Sequence, residues 1–129
     1  MNCYELQALR KLLMLDVSEA AEHIGKVSNR TWQYWESGRS PVPNDVAEEL
    51  FFWNSWRDDL LEIRIEQCKK DSGNEQLINL NYYKTLDDFE VRTGKRNVIT
   101  WRITQSIAAQ LYSEGLCNLV ELGGLAIDE

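Results

Sequence analysis

The fold is decided by residues 16–38, which read DVSEAAEHIGKVSNRTWQYWESG. Asp16 with Glu19 three positions later predicts a capping box, in which each side chain bonds the other residue's backbone N–H at the start of a helix. Small and aliphatic residues then recur at helical spacing and are expected to share a buried face: Val17, Ala20, Ala21 and Ile24. Gly25 can adopt the positive φ that ends a helix at little cost. A short helix ending at Gly25 is therefore predicted.

A second short helix is predicted after this turn. Ser28 can cap it, and Gly38 can terminate it. Thr31, Trp32 and Trp35 fall on one side of this helix and are expected to face the core. The other side carries side chains that are left to face outward: Asn29, Arg30, Gln33 and Tyr34. Two helices that cross closely at small alanine residues form a helix-turn-helix.

This stretch resembles the lambda-repressor-like family of helix-turn-helix proteins, also called the Cro/repressor or Xre family. The shared elements are Ala21-x-x-x-Gly25, Val27-Ser28, Thr31 and the ending Trp35-Glu36-Ser37-Gly38. The general resemblance covers about the first half of the chain. It implies a mainly α protein, with a lambda-repressor-like bundle in which residues 28–37 contact bases in the major groove of double-stranded DNA.

The first ten residues carry a narrower resemblance. They read MNCYELQALR, and together with residues 31–38 they are similar to a small group of uncharacterised bacterial proteins described as DNA-binding transcriptional regulators. In the lambda-repressor-like family an arginine of the first helix pairs with the glutamate of the Trp-Glu-x-Gly ending. The resemblance therefore implies a structural ion pair between Arg10 and Glu36, which would connect the first helix to the end of the second motif helix.

Seven residues are predicted to contact DNA. Asn and Gln side chains can bond adenine edges with two hydrogen bonds, and Arg can do the same with guanine, which suits the outward side of the second motif helix. Lys26 and Arg39 flank that helix and suit phosphates, as does the Ser28 hydroxyl, although capping alone also explains Ser28. The full set is Lys26, Ser28, Asn29, Arg30, Gln33, Tyr34 and Arg39. The competing interpretation is that they form the solvated side of a surface helix.

The net charge of −7 is unusual for a protein that binds DNA, because DNA affinity draws heavily on phosphate neutralisation. Residues 1–66 hold seven basic and twelve acidic side chains, so the acidic balance includes the DNA-binding half. Residues 26–44 differ, with three basic side chains and one acidic. A locally basic face on an acidic body predicts weak non-specific binding with a strong salt dependence.

Other functional classes leave no pattern in the sequence. The three cysteine residues, Cys3, Cys68 and Cys117, lie far apart and accompany one histidine, which argues against a disulfide framework or a zinc site. No phosphate loop or nucleophile elbow occurs, so neither an enzyme nor a cofactor is predicted. No stretch approaches the roughly 20 apolar residues of a membrane span, and the N-terminus lacks the features of a signal peptide. A cytoplasmic protein without a membrane partner is expected.

The remaining chain is predicted to hold a long helix and a small α+β C-terminal extension. The helix opens at Pro43 or Asn44, runs to about Lys70 and closes a DNA-binding domain of residues 1–70. Apolar residues along one stripe of it, including Trp56 and Ile63, are expected to be buried.

Residues 71–129 form the extension, which is assigned to dimerisation. A strand over residues 78–82, a brief helix over 85–94 and an amphipathic helix from 98 or 99 to about 114 are predicted, with Tyr112 on the inner face of the last helix. A competing interpretation makes 97–101 a strand that pairs with 77–83. Residues 116–129 are expected to be an edge strand or a partly ordered tail.

Two functions remain in competition. The first is a sequence-specific DNA-binding transcriptional regulator that acts as a homodimer, held together by the long helix and the extension. The second is a protein-interaction module that keeps the helix-turn-helix fold and binds DNA weakly or not at all. An antitoxin-like protein lies between the two, because it would neutralise a basic protein partner and also bind its own promoter. Two departures from the resembled family favour the second. One more residue than usual separates Gly25 from Thr31, and Val17 stands where many members have a glutamine that touches phosphate.

Overall fold

The computed structural model describes residues 1–71 and 76–123. Within these ranges the helices are α1 (Cys3–Leu12), α2 (Val17–Ala20), α3 (Asn29–Glu36), α4 (Asn44–Asp71), α5 (Leu86–Thr93) and α6 (Val98–Ser113). The strands are β1 (Ile78–Asn81) and β2 (Cys117–Val120), and α2 continues into a π-helical turn, Ala21–Gly25. The protein is mainly helical with a small two-stranded sheet, which agrees with the predicted helical bundle and its strand-containing extension.

The chain divides into two compact units, Met1–Arg57 and Asp58–Glu129. The division falls inside α4, which begins and ends close to where the sequence predicts. The predicted domain boundary at residue 70 would separate parts of the chain that fold independently, and it stays a prediction. Residues 72–75, which follow the predicted end of this helix, lie outside the described residues.

The first unit has a core supplied by α1 to α3 and the start of α4. Its buried apolar side chains include Leu6, Leu13, Ala20, Ala21, Ile24, Trp32, Trp35, Val46 and Leu50. Trp32 is fully buried, and its ring centroid lies 5.4 Å from that of Trp35. The predicted core side of α3 is therefore confirmed for both tryptophans.

The start of α2 follows the predicted capping box. Asp16 Oδ1 accepts a hydrogen bond from Glu19 N at 2.7 Å, and Glu19 Oε1 accepts one from Asp16 N at 3.1 Å. Asn2 and Glu5 form the same arrangement at the start of α1. Both helices thus begin at residues whose side chains satisfy N–H groups that have no partner within the helix.

The turn between α2 and α3 differs from the prediction. The residue in the left-handed region is Lys26, with φ of 54°, and not Gly25. The carbonyl of Ala21 accepts from the N–H groups of both Lys26 and Val27. This π-type end is wider than an α-helical turn and accommodates the additional residue before Thr31. Gly25 is needed for space, because a Cβ there would lie 3.1 Å from ring atoms of both Trp32 and Trp35.

The second unit contains the sheet, in which β1 and β2 run parallel with Ile78 opposite Cys117 and Asn81 opposite Val120. The alternative strand over 97–101 is wrong, because Asn97 caps α6 and those residues enter the helix. Residues 124–129 of the predicted strand or tail lie outside the described residues.

Two apolar side chains do not take the buried positions that their stripes predict. Tyr112 on α6 is 59% exposed and Ile63 on α4 is 58% exposed. Helical periodicity indicates which residues share a face, but it does not determine how far the covering elements extend over that face.

Candidate nucleic-acid interface

α3 begins at Ser28, whose side chain caps it. Ser28 Oγ accepts a hydrogen bond from Thr31 N at 3.2 Å and lies 3.1 Å from Thr31 Oγ1. The predicted capping role of Ser28 is confirmed. At the other end, Gly38 has a φ of 81° just beyond the last residues of α3, and the helix ends there as predicted.

The seven predicted contact residues lie on and beside α3. All are exposed except Tyr34, which is half-buried. In the described part of the chain, no hydrogen bond engages the side chains of Asn29, Arg30 or Gln33, so their donors and acceptors are directed to solvent. Lys26 Nζ lies 3.4 Å from the carbonyl oxygen of His23.

Glu36, at the end of α3, accepts hydrogen bonds from the side chains of Arg10, Trp32 and Gln7. Arg10 Nε lies 2.6 Å from Glu36 Oε2 and Arg10 Nη2 lies 3.0 Å from Oε1, while the indole N–H of Trp32 also donates to Oε2. The Arg10 and Glu36 side chains are 10% and 9% exposed. Burial by itself would raise the pKa of Glu36, but the hydrogen bonds from Arg10 and Trp32 and the charge of Arg10 outweigh it and lower the pKa.

This pairing changes the charge of the exposed surface around α3. Glu36 is the one acidic residue among residues 26–44, and Arg10 neutralises it within the unit. The charged groups that this segment exposes are therefore Lys26, Arg30 and Arg39. Exposed cations are the electrostatic requirement for contact with phosphates, and residues 26–44 supply three of them on a protein of negative net charge.

The exposed side of α4 has the opposite character. Up to residue 66 its exposed charged side chains are all carboxylates: Asp45, Glu48, Asp58, Asp59, Glu62 and Glu66. Such a surface repels the phosphate backbone of a nucleic acid.

Tyr34 and Arg39 are in contact, which sequence reasoning missed. The guanidinium carbon of Arg39 lies over the Tyr34 ring, 4.2 Å from its centroid. The sequence feature that could have predicted this contact is an aromatic residue before the Gly38 turn and an arginine directly after it. The prediction placed both residues on the outside but did not pair them.

Other candidate chemical groups do not assemble into a second site. Among residues 1–71 and 76–123, no group of three or more His, Cys, Asp or Glu side chains could hold a metal ion. None of the described helices is long and apolar enough to cross a membrane. Cys68 and Cys117 are buried thiols. Burial, together with the nearby Cys68, raises the pKa of Cys117 to about 11.

The chain matches the family model described as Aca2/YdiL-like over residues 1–120. It belongs to the Aca2/YdiL-like family. The match includes every helix and strand described above. The similarity to the family therefore extends well beyond the α2–α3 segment.

Two relatives are similar over nearly the whole chain. The protein is 50% identical to the Aca2 repressor of Pectobacterium phage ZF40 over 119 residues, which are 90% of this chain and 97% of the phage protein. It is 33% identical over 120 residues to the uncharacterized protein YdiL of Escherichia coli K12, covering 92% of this chain and 99% of YdiL. The chain belongs to this family, and one of its relatives is named a repressor. Together these findings support a repressor-like, regulatory role.

Proposed function

We propose that this member of the Aca2/YdiL-like family is a transcriptional repressor that binds double-stranded DNA through α3. The observation that carries the proposal is the burial of Glu36 against Arg10, which leaves three cations as the exposed charges of residues 26–44. The name of the phage relative, Aca2 repressor, supports the same role.

α3 enters the major groove in this proposal. Asn29, Arg30 and Gln33 bond base edges, since their amide and guanidinium groups can each make two hydrogen bonds to adenine or guanine. Lys26, Ser28 and Arg39 contact phosphates at the two ends of the helix and determine its register on the duplex. Occupancy of a promoter by this interface would exclude the transcription machinery.

The protein acts as a homodimer in this proposal, because one helix-turn-helix covers one half-site of a two-fold operator. Apolar side chains of α4 suit such an interface. In the first unit, Phe52 is 59% exposed, and the half-buried rings of Trp53 and Trp56 pack edge to face at 5.7 Å. A second copy that covers these side chains would remove apolar surface from water. A protein that remains monomeric at micromolar concentration would contradict this part of the proposal.

Selection from a pool of random duplex DNA, at low and at near-physiological salt, tests DNA binding. The wild type is compared with an Arg30→Ala, Gln33→Ala variant. A control variant, Gln76→Ala with Lys95→Ala, removes one amide and one cation from exposed positions outside α3. Enrichment of a palindrome that is lost in the α3 variant and kept in the control is expected. No enrichment by the folded wild type at low salt would refute the proposal.

The exposed carboxylates of α4 favour a second function, the binding of a basic protein partner. Charge complementarity would attract a cationic surface to α4 and would discourage DNA there. This function takes precedence if the folded protein enriches no DNA sequence and a basic protein binds the wild type but not an Asp45→Asn, Glu48→Gln variant. Light scattering of the Arg30→Ala, Gln33→Ala variant and of the Asp45→Asn, Glu48→Gln variant, each without a ligand, shows whether either variant has a changed oligomeric state.

A further inference from the structure

We infer that Tyr34 is a positioning residue, whose ring holds the Arg39 guanidinium at the edge of the DNA interface so that the two side chains act as one phosphate-binding unit. This inference rests on the proposed function. It changes the role of Tyr34 from a groove contact to a support for a neighbouring cation.

The contact between the two side chains has the geometry of a cation–π interaction. Arg39 Cζ lies 4.2 Å from the ring centroid of Tyr34, within the roughly 6 Å at which a guanidinium is attracted to the face of an aromatic ring. This attraction uses none of the guanidinium N–H groups. In the described part of the chain, no hydrogen bond engages the Arg39 side chain, so its planar set of donors remains for a phosphate, which arginine binds with two parallel hydrogen bonds.

The backbone holds the two residues together independently of their side chains. The carbonyl oxygen of Tyr34 accepts a hydrogen bond from Ser40 N at 3.1 Å and another from Ser37 Oγ at 3.2 Å. Between them Gly38 adopts a φ of 81°, which reverses the chain and returns residues 39 and 40 beside the end of α3. Arg39 therefore starts next to the ring.

This arrangement lowers the entropic cost of binding phosphate. A free arginine side chain has many rotamers and must be ordered when it binds, whereas a side chain already packed on a ring loses less freedom. The ring of Tyr34 is half-buried and covered by Arg39, so it is not available to stack on a base.

A double-mutant cycle on the selected operator tests the coupling. Dissociation constants are measured over a range of salt concentrations for the wild type, Tyr34→Phe, Tyr34→Leu, Arg39→Gln and the double variant Tyr34→Leu, Arg39→Gln. Tyr34→Phe keeps the ring and should bind as the wild type does. Tyr34→Leu should weaken binding roughly two- to fivefold, the range that corresponds to one exposed cation–π contact.

Arg39→Gln should weaken binding further and lower the slope of log K against log salt by about 0.9, because one phosphate contact is lost. The double variant should bind no more weakly than Arg39→Gln alone, since the ring has no function without the cation. Tyr34→Leu combined with Arg30→Ala is the matched control, and its two effects should multiply. Thermal unfolding establishes that each variant is folded, and Tyr34→Met replaces Tyr34→Leu if the latter unfolds.

Two results would overturn the inference while leaving the proposed function intact. A loss of affinity in Tyr34→Phe would assign the contact to the tyrosine hydroxyl. Effects of Tyr34→Leu and Arg39→Gln that multiply would mean that the residues act separately. If the folded wild type binds no DNA at low salt, the proposed function fails and the inference fails with it.

Discussion

Arg10 and Glu36 form an ion pair across 26 residues of sequence, with 2.6 Å between Arg10 Nε and Glu36 Oε2. Arg10 Nη1 also donates to the carbonyl oxygen of Leu15 at 3.0 Å. One guanidinium therefore connects α1, the segment before α2 and the end of α3. The same pair removes a negative charge from the surface that is proposed to meet DNA. It therefore stabilises the first unit and also changes the charge of the proposed interface.

Removal of either partner should destabilise the first unit. Arg10→Met leaves the Glu36 carboxylate buried without its cation, and a loss of roughly 3 kcal/mol in the free energy of unfolding is expected. Urea unfolding followed by tryptophan fluorescence measures it, because Trp32 and Trp35 lie in the same core. The matched control is Arg96→Met, which breaks the exposed Arg96–Asp87 pair and should leave the unfolding midpoint unchanged. Equal effects of the two substitutions would contradict the importance of the buried pair.

Stability should depend on pH through Glu36. Its pKa in the folded protein lies below the ordinary value of 4.5, so the unfolded chain binds the proton more tightly than the folded protein. The stability from this group is fully present above pH 4.5 and is lost as the pH falls through the folded pKa. The free energy of unfolding, measured between neutral pH and about pH 3, should therefore decline less steeply for Glu36→Gln than for the wild type. Parallel pH profiles for the two proteins would rule out this role of Glu36.

Substitution of Gly25 by alanine should be costly, although its φ is not positive. The added Cβ would lie 3.0 Å from Val27 Cγ2 and 3.1 Å from ring atoms of Trp32 and Trp35, closer than ordinary packing. A loss of about 1–3 kcal/mol is expected from overpacking and would be measured by chemical unfolding. Gly94→Asn is the control, since a Cβ there meets no atom within 4 Å and asparagine tolerates the φ of 75°. A neutral Gly25→Ala would mean that the tryptophan rings move apart easily.

Lys26→Gly should separate stability from DNA affinity. Lys26 has a φ of 54°, a conformation that glycine adopts without steric cost, so the melting temperature should rise or stay the same. Its loss as a phosphate contact should weaken DNA binding and reduce the salt slope by about 0.9. Lys26→Asn tests the charge alone, because asparagine also tolerates the left-handed region. Unchanged salt dependence in both variants would remove Lys26 from the interface.

Local signals in the sequence determined much of the secondary structure. The side chains of Asp16, Ser28 and Thr85 each accept a hydrogen bond from the backbone N–H three residues later. Such bonds are local and form wherever the helix forms. Gly38 ends α3 with a positive φ for an equally local reason. The side of α3 that carries the proposed contacts also follows from sequence, because helical periodicity assigns Trp32 and Trp35 to the core and leaves the polar residues outside.

Only the tertiary structure decided the features that join distant residues. The rings of Trp32 and Trp35 pack beside Gly25, and the residue with the left-handed backbone is the next one, Lys26. The parallel pairing of β1 with β2 brings together strands that are separated in sequence by α5 and α6. Tyr34 meets Arg39 only because the Gly38 turn returns the chain to α3. The charge of the proposed interface depends on Arg10, which belongs to another helix. Capping and periodicity act over three or four residues, whereas burial and ion pairing depend on which surfaces meet when the chain packs.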